Sequence, residues 1–193
     1  ALHYTYGYGY YKEFKNNAKF EKFGLIYKDA EGNKVKKSDF IRKKGLTQNT
    51  YGMVYNTNYK DEHWDVIGGL NLQQFRGNHW GYLTYIANQD AEKQFLGSNG
   101  KYKYYDSDAH KYDYSAFIKA SYRFADYWNV FADLQYRRVE YKTDGINDKF
   151  IAQADGSYKN QELNIDEKFN FFNPKAGISF NKDGHKSYAS VAY

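Results

Sequence analysis

The chain has 193 residues and a net charge of +5, with basic and acidic side chains interspersed, so no dense basic face of the kind nucleic acid needs stands out. It has no cysteine and one proline, which excludes a disulfide framework, a thiolate metal site and a Pro-rich stalk. Mean hydropathy is −0.93 and no apolar run approaches the ~20 residues of a membrane helix, which excludes a helical membrane protein but not a β-barrel, where only alternate strand residues face lipid.

Aromatic residues reach 21%, with 23 Tyr and 14 Phe, and they fall in period-2 runs. Such alternation marks strands with two unlike faces. The first run sets Leu2, Tyr4, Tyr6, Tyr8 and Tyr10 against His3, Thr5, Gly7 and Gly9. Two more follow, around Tyr51–Tyr59 and around Trp64–Gln73. In the cleanest run Tyr112, Tyr114, Ala116, Ile118, Ala120, Tyr122 and Phe124 oppose Asp113, Ser115, Lys119, Ser121 and Arg123. Next, Trp128, Val130, Ala132, Leu134 and Tyr136 oppose Asn129, Asp133, Gln135 and Arg137. Two short runs close the chain, at residues 175–181 and 187–193, giving about seven strands.

The connections alternate in length. Residues 60–63, 125–127 and 182–185 read as tight turns, the last carrying the Asp183-Gly184 hairpin signal. Between the hairpins, residues 12–48, 76–110 and 142–170 read as long polar loops. Short turns at one end and long loops at the other are the plan of an outer-membrane barrel, because irregular backbone must stay out of the hydrocarbon. The expected fold is therefore all-β: antiparallel up-and-down strands, a partial transmembrane β-barrel with long extracellular loops. In it Ala116, Ile118, Ala120, Val130, Ala132 and Leu134 form the lipid-facing band. Tyr59, Trp64, Phe124, Tyr127, Trp128 and Phe180 form an aromatic girdle beside the turns. Lys119, Arg123, Asp133, Gln135 and Arg137 would face the lumen, or else form the wet side of an ordinary sheet. Both ends of the sequence lie inside strand-like patterns, so residues 1–193 read as an internal fragment of a single barrel domain.

Three stretches carry a family resemblance: LHYTYGYGYYKEFK at residues 2–15, VFADLQYRRVEY at 130–141 and FNFFNPKAGISF at 169–180. Each resembles a barrel strand of TonB-dependent outer-membrane receptors, of the large group found in Bacteroidetes, and their order and spacing fit as well. The resemblance implies a 22-stranded barrel around a plug domain. It further implies uptake of a scarce ligand (siderophore, haem, cobalamin, peptide or glycan) driven by the TonB–ExbB–ExbD complex, and location in the cell outer membrane. Plug and TonB would be partners through the parent receptor; neither a plug nor a TonB box is among these residues.

Few residues form a pattern that carries chemistry. The five histidines form no HExxH pattern or close pair, so no metal site, cofactor site or catalytic constellation is assigned. Carboxylates are scattered singly, whereas glycosidase chemistry needs two facing across a cleft. His79, Trp80, Tyr82, Tyr102, Tyr104 and Tyr105 are the candidate ligand-binding residues, read as loop aromatics. Such rings stack on sugars, haem and aromatic chelates alike and leave the ligand unnamed. The rival reading is a soluble, tyrosine-rich β-domain binding carbohydrate or another extracellular partner.

Overall fold

The computed structural model describes residues 1–193. Seven long strands form one sheet: β1 (Leu2–Lys19), β4 (Lys37–Lys60), β5 (Trp64–Ile86), β6 (Tyr102–Phe124), β7 (Trp128–Ala152), β8 (Tyr158–Lys182) and β9 (His185–Ala192). Their order is β1-β4-β5-β6-β7-β8-β9, each antiparallel to the next. The sheet is an up-and-down meander and does not close, since β1 and β9 each have one neighbour.

Three tight turns join the strands at one end. Asp61 caps the first, its Oδ1 accepting from the backbone N–H of His63 at 2.8 Å and of Trp64 at 2.7 Å. In the last, Asp183 and Gly184 have φ of 50° and 81°, the left-handed pair that a two-residue hairpin with matching twist requires.

At the other end the expectation of three long loops is overturned. Most of residues 12–48, 76–110 and 142–170 continue the strands, leaving connections of residues 20–36, 87–101 and 153–157. The apolar alternation fades in these stretches because both faces become polar, but the backbone ladder does not need an apolar face to continue. The 20–36 connection holds a single 3-10 turn (Phe20–Phe23) and a two-residue hairpin, β2 (Tyr27–Lys28) with β3 (Lys34–Val35). The 87–101 connection holds α1 (Gln89–Leu96), capped by Asn88, whose Oδ1 accepts from Ala91 N–H at 2.9 Å.

Register sorts the side chains onto two faces. Ala116, Ile118 and Ala120 pair with Tyr136, Leu134 and Ala132, and Val130 pairs with Tyr122. All six residues expected in the apolar band thus share one face. It continues through Tyr55, Leu70 and Phe172 in one row and through Tyr59, Val66 and Ala176 in another. Lys119 pairs with Asp133, Phe117 with Gln135, Ser115 with Arg137 and Arg123 with Asn129 on the opposite face.

Only 19 of 193 residues are buried, and the apolar ones gather not beneath the sheet but at its loop end. Phe20, Phe23, Leu25 and Tyr27 from the first connection pack on Phe40, Leu83 and Ile86 of β4 and β5. They are joined by Tyr104 and Tyr105 of β6 and by Ala91 and Leu96 of α1. Phe40 is fully buried, with ring centroids 5.0 Å from Phe20 and 4.8 Å from Phe23. Gly24, at φ +71°, lies where any Cβ would strike the Phe150 ring at 2.2 Å, so this connection can lie down only with glycine there. Phe40→Ala should cost about 3–5 kcal/mol of cap stability. The readout is hydrogen exchange, with residues 20–27 losing protection while the β6–β7 ladder keeps its own.

Candidate functional site

The cap bends the sheet. In a flat sheet β4 and β7 would lie ~14 Å apart across two intervening strands. Instead Lys44 Nζ of β4 reaches Asp148 Oδ2 of β7 at 2.6 Å. Asp148 lies in the irregular stretch between Ile146 and Phe150 where pairing with β8 slips, which lets the backbone lean inward. Farther out, Tyr158 of β8 donates its hydroxyl to Glu21 Oε2 at 2.7 Å, and Asn160 Nδ2 donates to Tyr104 O at 2.9 Å. The concave face is the one that carries Lys119, Asp133, Gln135 and Arg137.

Under the cap this curvature encloses a cavity of about 410 Å³ lined by Lys15, Glu21, Lys22, Phe23, Arg42, Asp148, Phe150 and Tyr158, among others. Its walls are ion-paired. Arg42 Nη2 lies 2.6 Å from Glu13 Oε2, and Lys15 contacts the other oxygen of the same carboxylate. Lys19 Nζ lies 3.0 Å from Glu21 Oε1. Hydrogen bonds from Lys15 and Arg42 hold the Glu13 carboxyl below the usual carboxylate range. The Tyr158 hydroxyl and Lys19 do the same for Glu21. In the adjoining core, burial pushes the Tyr105 phenol up to about 12. Such a lining can hold a polar or charged molecule. Nowhere do three or more His, Asp or Glu side chains converge as a metal would require.

The six expected ligand aromatics are not loop residues: His79, Trp80 and Tyr82 lie in β5 and Tyr102, Tyr104 and Tyr105 in β6. Nor do they converge. Tyr104 and Tyr105 are core residues of the cap, and Tyr102 packs against that core. His79 pairs with Leu46 and Ser107 on the concave side, while Trp80 and Tyr82 stand on the convex side with Tyr8 and Lys43. Of the five residues expected on the wet face, Arg137 makes a two-pronged bond to the buried Asp113, Nε to Oδ1 at 2.8 Å and Nη2 to Oδ2 at 2.6 Å. Gln135 accepts from Asn173 at 3.3 Å. Lys119, Arg123 and Asp133 make no ion pair, and none of the five lines the capped cavity.

Sequence reasoning missed Glu13, Glu21, Arg42, Asp148 and Tyr158 because they lie in stretches read as loop. One signal was present: Phe20, Phe23, Leu25, Ile26 and Tyr27 form an apolar knot too dense for a solvated loop. Comparison with protein-family models, with curated proteins and with solved structures gave no match.

Glu13 and Glu21 have folded pKa values below their unfolded value of about 4.3. Their contribution to the stability of this end of the sheet, which for Glu21 includes the cap contact with Tyr158, is therefore complete above that value and is lost as pH falls through the lower, folded one. Acid titration followed by exchange at residues 20–28 should show a protected cap at neutral pH that opens in acid. Glu21→Gln should leave a weaker cap whose remaining acid dependence is smaller.

Proposed function

We propose that this chain is a barrel segment of a TonB-dependent outer-membrane receptor that imports a scarce ligand, with its convex face in lipid and its capped cavity on the ligand path. The observation that carries the reading is the convex face. It is apolar from Phe124 to Tyr112 on β6, from Trp64 to Leu72 on β5 and from Tyr59 to Tyr51 on β4. Eight to twelve residue steps at ~3.3 Å, on strands tilted ~40°, span ~20–30 Å of height, which fits the ~25 Å apolar band of such barrels. Ile118 and Leu134, in the middle of it, are 49% and 43% exposed. A soluble sheet would have to cover side chains like these.

The upper edge of the band supports tilt independently. Moving from β1 to β8 the last apolar residues are Tyr10, Tyr51, Leu72, Tyr112, Tyr136 and Phe172. Mapped through the register, this edge runs from the row of Asp106 at β1 to the row of Ala116 at β7 and β8, oblique to the rungs overall although it steps back by two residues between β5 and β6. A horizontal membrane surface cutting tilted strands traces such a line. At the lower edge the rings of Phe124, Trp128 and Phe180 form one row, with centroids 6.4 and 4.9 Å apart. They sit beside the turns, where interfacial aromatics belong. No helix is long and apolar enough to cross a membrane; in this reading the strands do the spanning.

Ile118→Arg and Ala132→Arg should each impair assembly of the parent receptor, since a charge at mid-bilayer on this face costs about 2–4 kcal/mol; Lys119→Ala on the concave face should assemble normally. Heat-modifiable migration of the receptor from outer-membrane fractions measures it. Equal assembly of all three variants would return the soluble β-domain reading.

A further inference from the structure

The convex face has a second feature, above the apolar band and on the opposite side of the sheet from the capped cavity. Register aligns Lys12 with Lys43, Lys43 with Tyr82, and Tyr82 with Lys103, so one row across four strands carries three cations. Lys101 adds a fourth at the mouth of the same open cleft of about 550 Å³. Like charges placed directly opposite each other on neighbouring strands are destabilising. Lys103 is relieved by Asp106, and Asn78 donates to both Asp106 and Asp108. Lys12, Lys43 and Lys101 have no carboxylate within 4.0 Å.

The floor is aromatic. Trp80 lies flat over Gly45, where a Cβ would meet its ring at 2.2 Å. It is flanked by Tyr8 at 6.1 Å, stacked, and by Tyr82 at 5.4 Å. Lys43 Nζ sits 3.8 Å from the Tyr10 centroid and 5.4 Å from that of Trp80, and Lys101 Nζ 5.2 Å from that of Tyr82. The rings thus hold the ammonium groups in place without neutralising them. The hydroxyls of Tyr8, Tyr10 and Tyr82 have no side-chain partner, unlike that of Tyr4, which donates to Asn49.

We propose that this cleft binds an anionic carbohydrate, its phosphate or carboxylate groups on Lys12, Lys43 and Lys101 and its sugar rings against the Tyr8–Trp80–Tyr82 floor. A bound anion would supply the charge that relieves the repulsion among the lysines. Aromatic faces match the apolar faces of sugar rings, and phenol hydroxyls match their hydroxyls. Two sources have this chemistry: a glycolipid of the surrounding membrane and a free acidic polysaccharide.

The test is calorimetric titration of the chain in detergent. The probes are the phosphorylated oligosaccharide of deacylated lipopolysaccharide, the same oligosaccharide after dephosphorylation, an oligogalacturonate, intact lipopolysaccharide in mixed micelles, and adenosine monophosphate. At least one anionic glycan should bind, more weakly as salt rises. For the phosphorylated probe, removing phosphate should weaken binding about ten-fold or more, the scale of one lost charge-assisted bond. The double variant Lys43→Gln, Lys101→Gln should do the same to any anionic glycan that binds, with its circular dichroism unchanged. Tyr82→Ala should weaken binding while keeping its salt dependence. Tighter binding of intact lipopolysaccharide assigns the site to the membrane glycolipid, and tighter binding of oligogalacturonate to a free polysaccharide. The proposal is overturned if no glycan binds, if the double variant binds unchanged, or if adenosine monophosphate binds as tightly as the glycans. None of these outcomes depends on the strand faces that the arginine substitutions probe, so this proposal and the importer reading can fail separately.

Discussion

Everything in this molecule depends on the pairing of backbone N–H and C=O groups along β1, β4, β5, β6, β7 and β8, strands of 18 to 25 residues. Of 126 backbone hydrogen bonds, 110 lie within the regular elements. With so few residues buried, a conventional core cannot be what holds the sheet flat or curved; the ladder fixes the frame, and side chains decide only how it bends. A ladder leaves its outermost groups unpaired, so β1 and β9 expose one row each, as does the part of β8 that runs beyond the end of β9. Such edges attract further strands, and a proposed larger barrel would supply them.

The two ends of the sheet solve different problems. The turn end is minimal: three-residue or two-residue connections with an aspartate cap or a left-handed Asp-Gly pair, leaving little to move. The cap end builds a true core from rings and aliphatics and then ties it down with charge. Lys44–Asp148 crosses from β4 to β7 and Tyr158–Glu21 from β8 to the first connection, and so they set the curvature that makes one face concave. Aromatic packing closes the connection of residues 20–36, and ion pairs give that closure its acid sensitivity.

Strand number, antiparallel order and face assignment were legible in the sequence because period-2 alternation survives wherever one face is apolar. Ala116, Ile118 and Ala120 could be put together with Ala132 and Leu134 before any pairing was known. Strand length was not legible. Beyond Tyr112 and Tyr136 both faces turn polar, the alternation carries no contrast, and Lys, Asp and Asn read as loop although they continue the ladder. The cap site was illegible for a different reason. Glu13, Arg42, Asp148 and Tyr158 are brought together by curvature and by a slipped register near Phe150, and neither leaves a local mark. Trp80 and Tyr82 line an open cleft on the convex face, whereas Tyr104 and Tyr105, singled out with them, are packing within the cap. Residue type alone cannot separate a ring that lines an open cleft from one that meets Phe23.

The latches of the cap also bear on the order in which the chain acquires its shape. Each hairpin of the meander joins neighbouring segments, so its loop-closure entropy is small and it can zip early. Lys44 and Asp148 are separated by 104 residues, and Glu21 and Tyr158 by 137. These contacts can be made only after the intervening strands are in register, since the register is what carries the partners within reach. Concavity is therefore the last property the sheet gains and the first it gives up, and a chain flattened by loss of the latches still keeps its ladder.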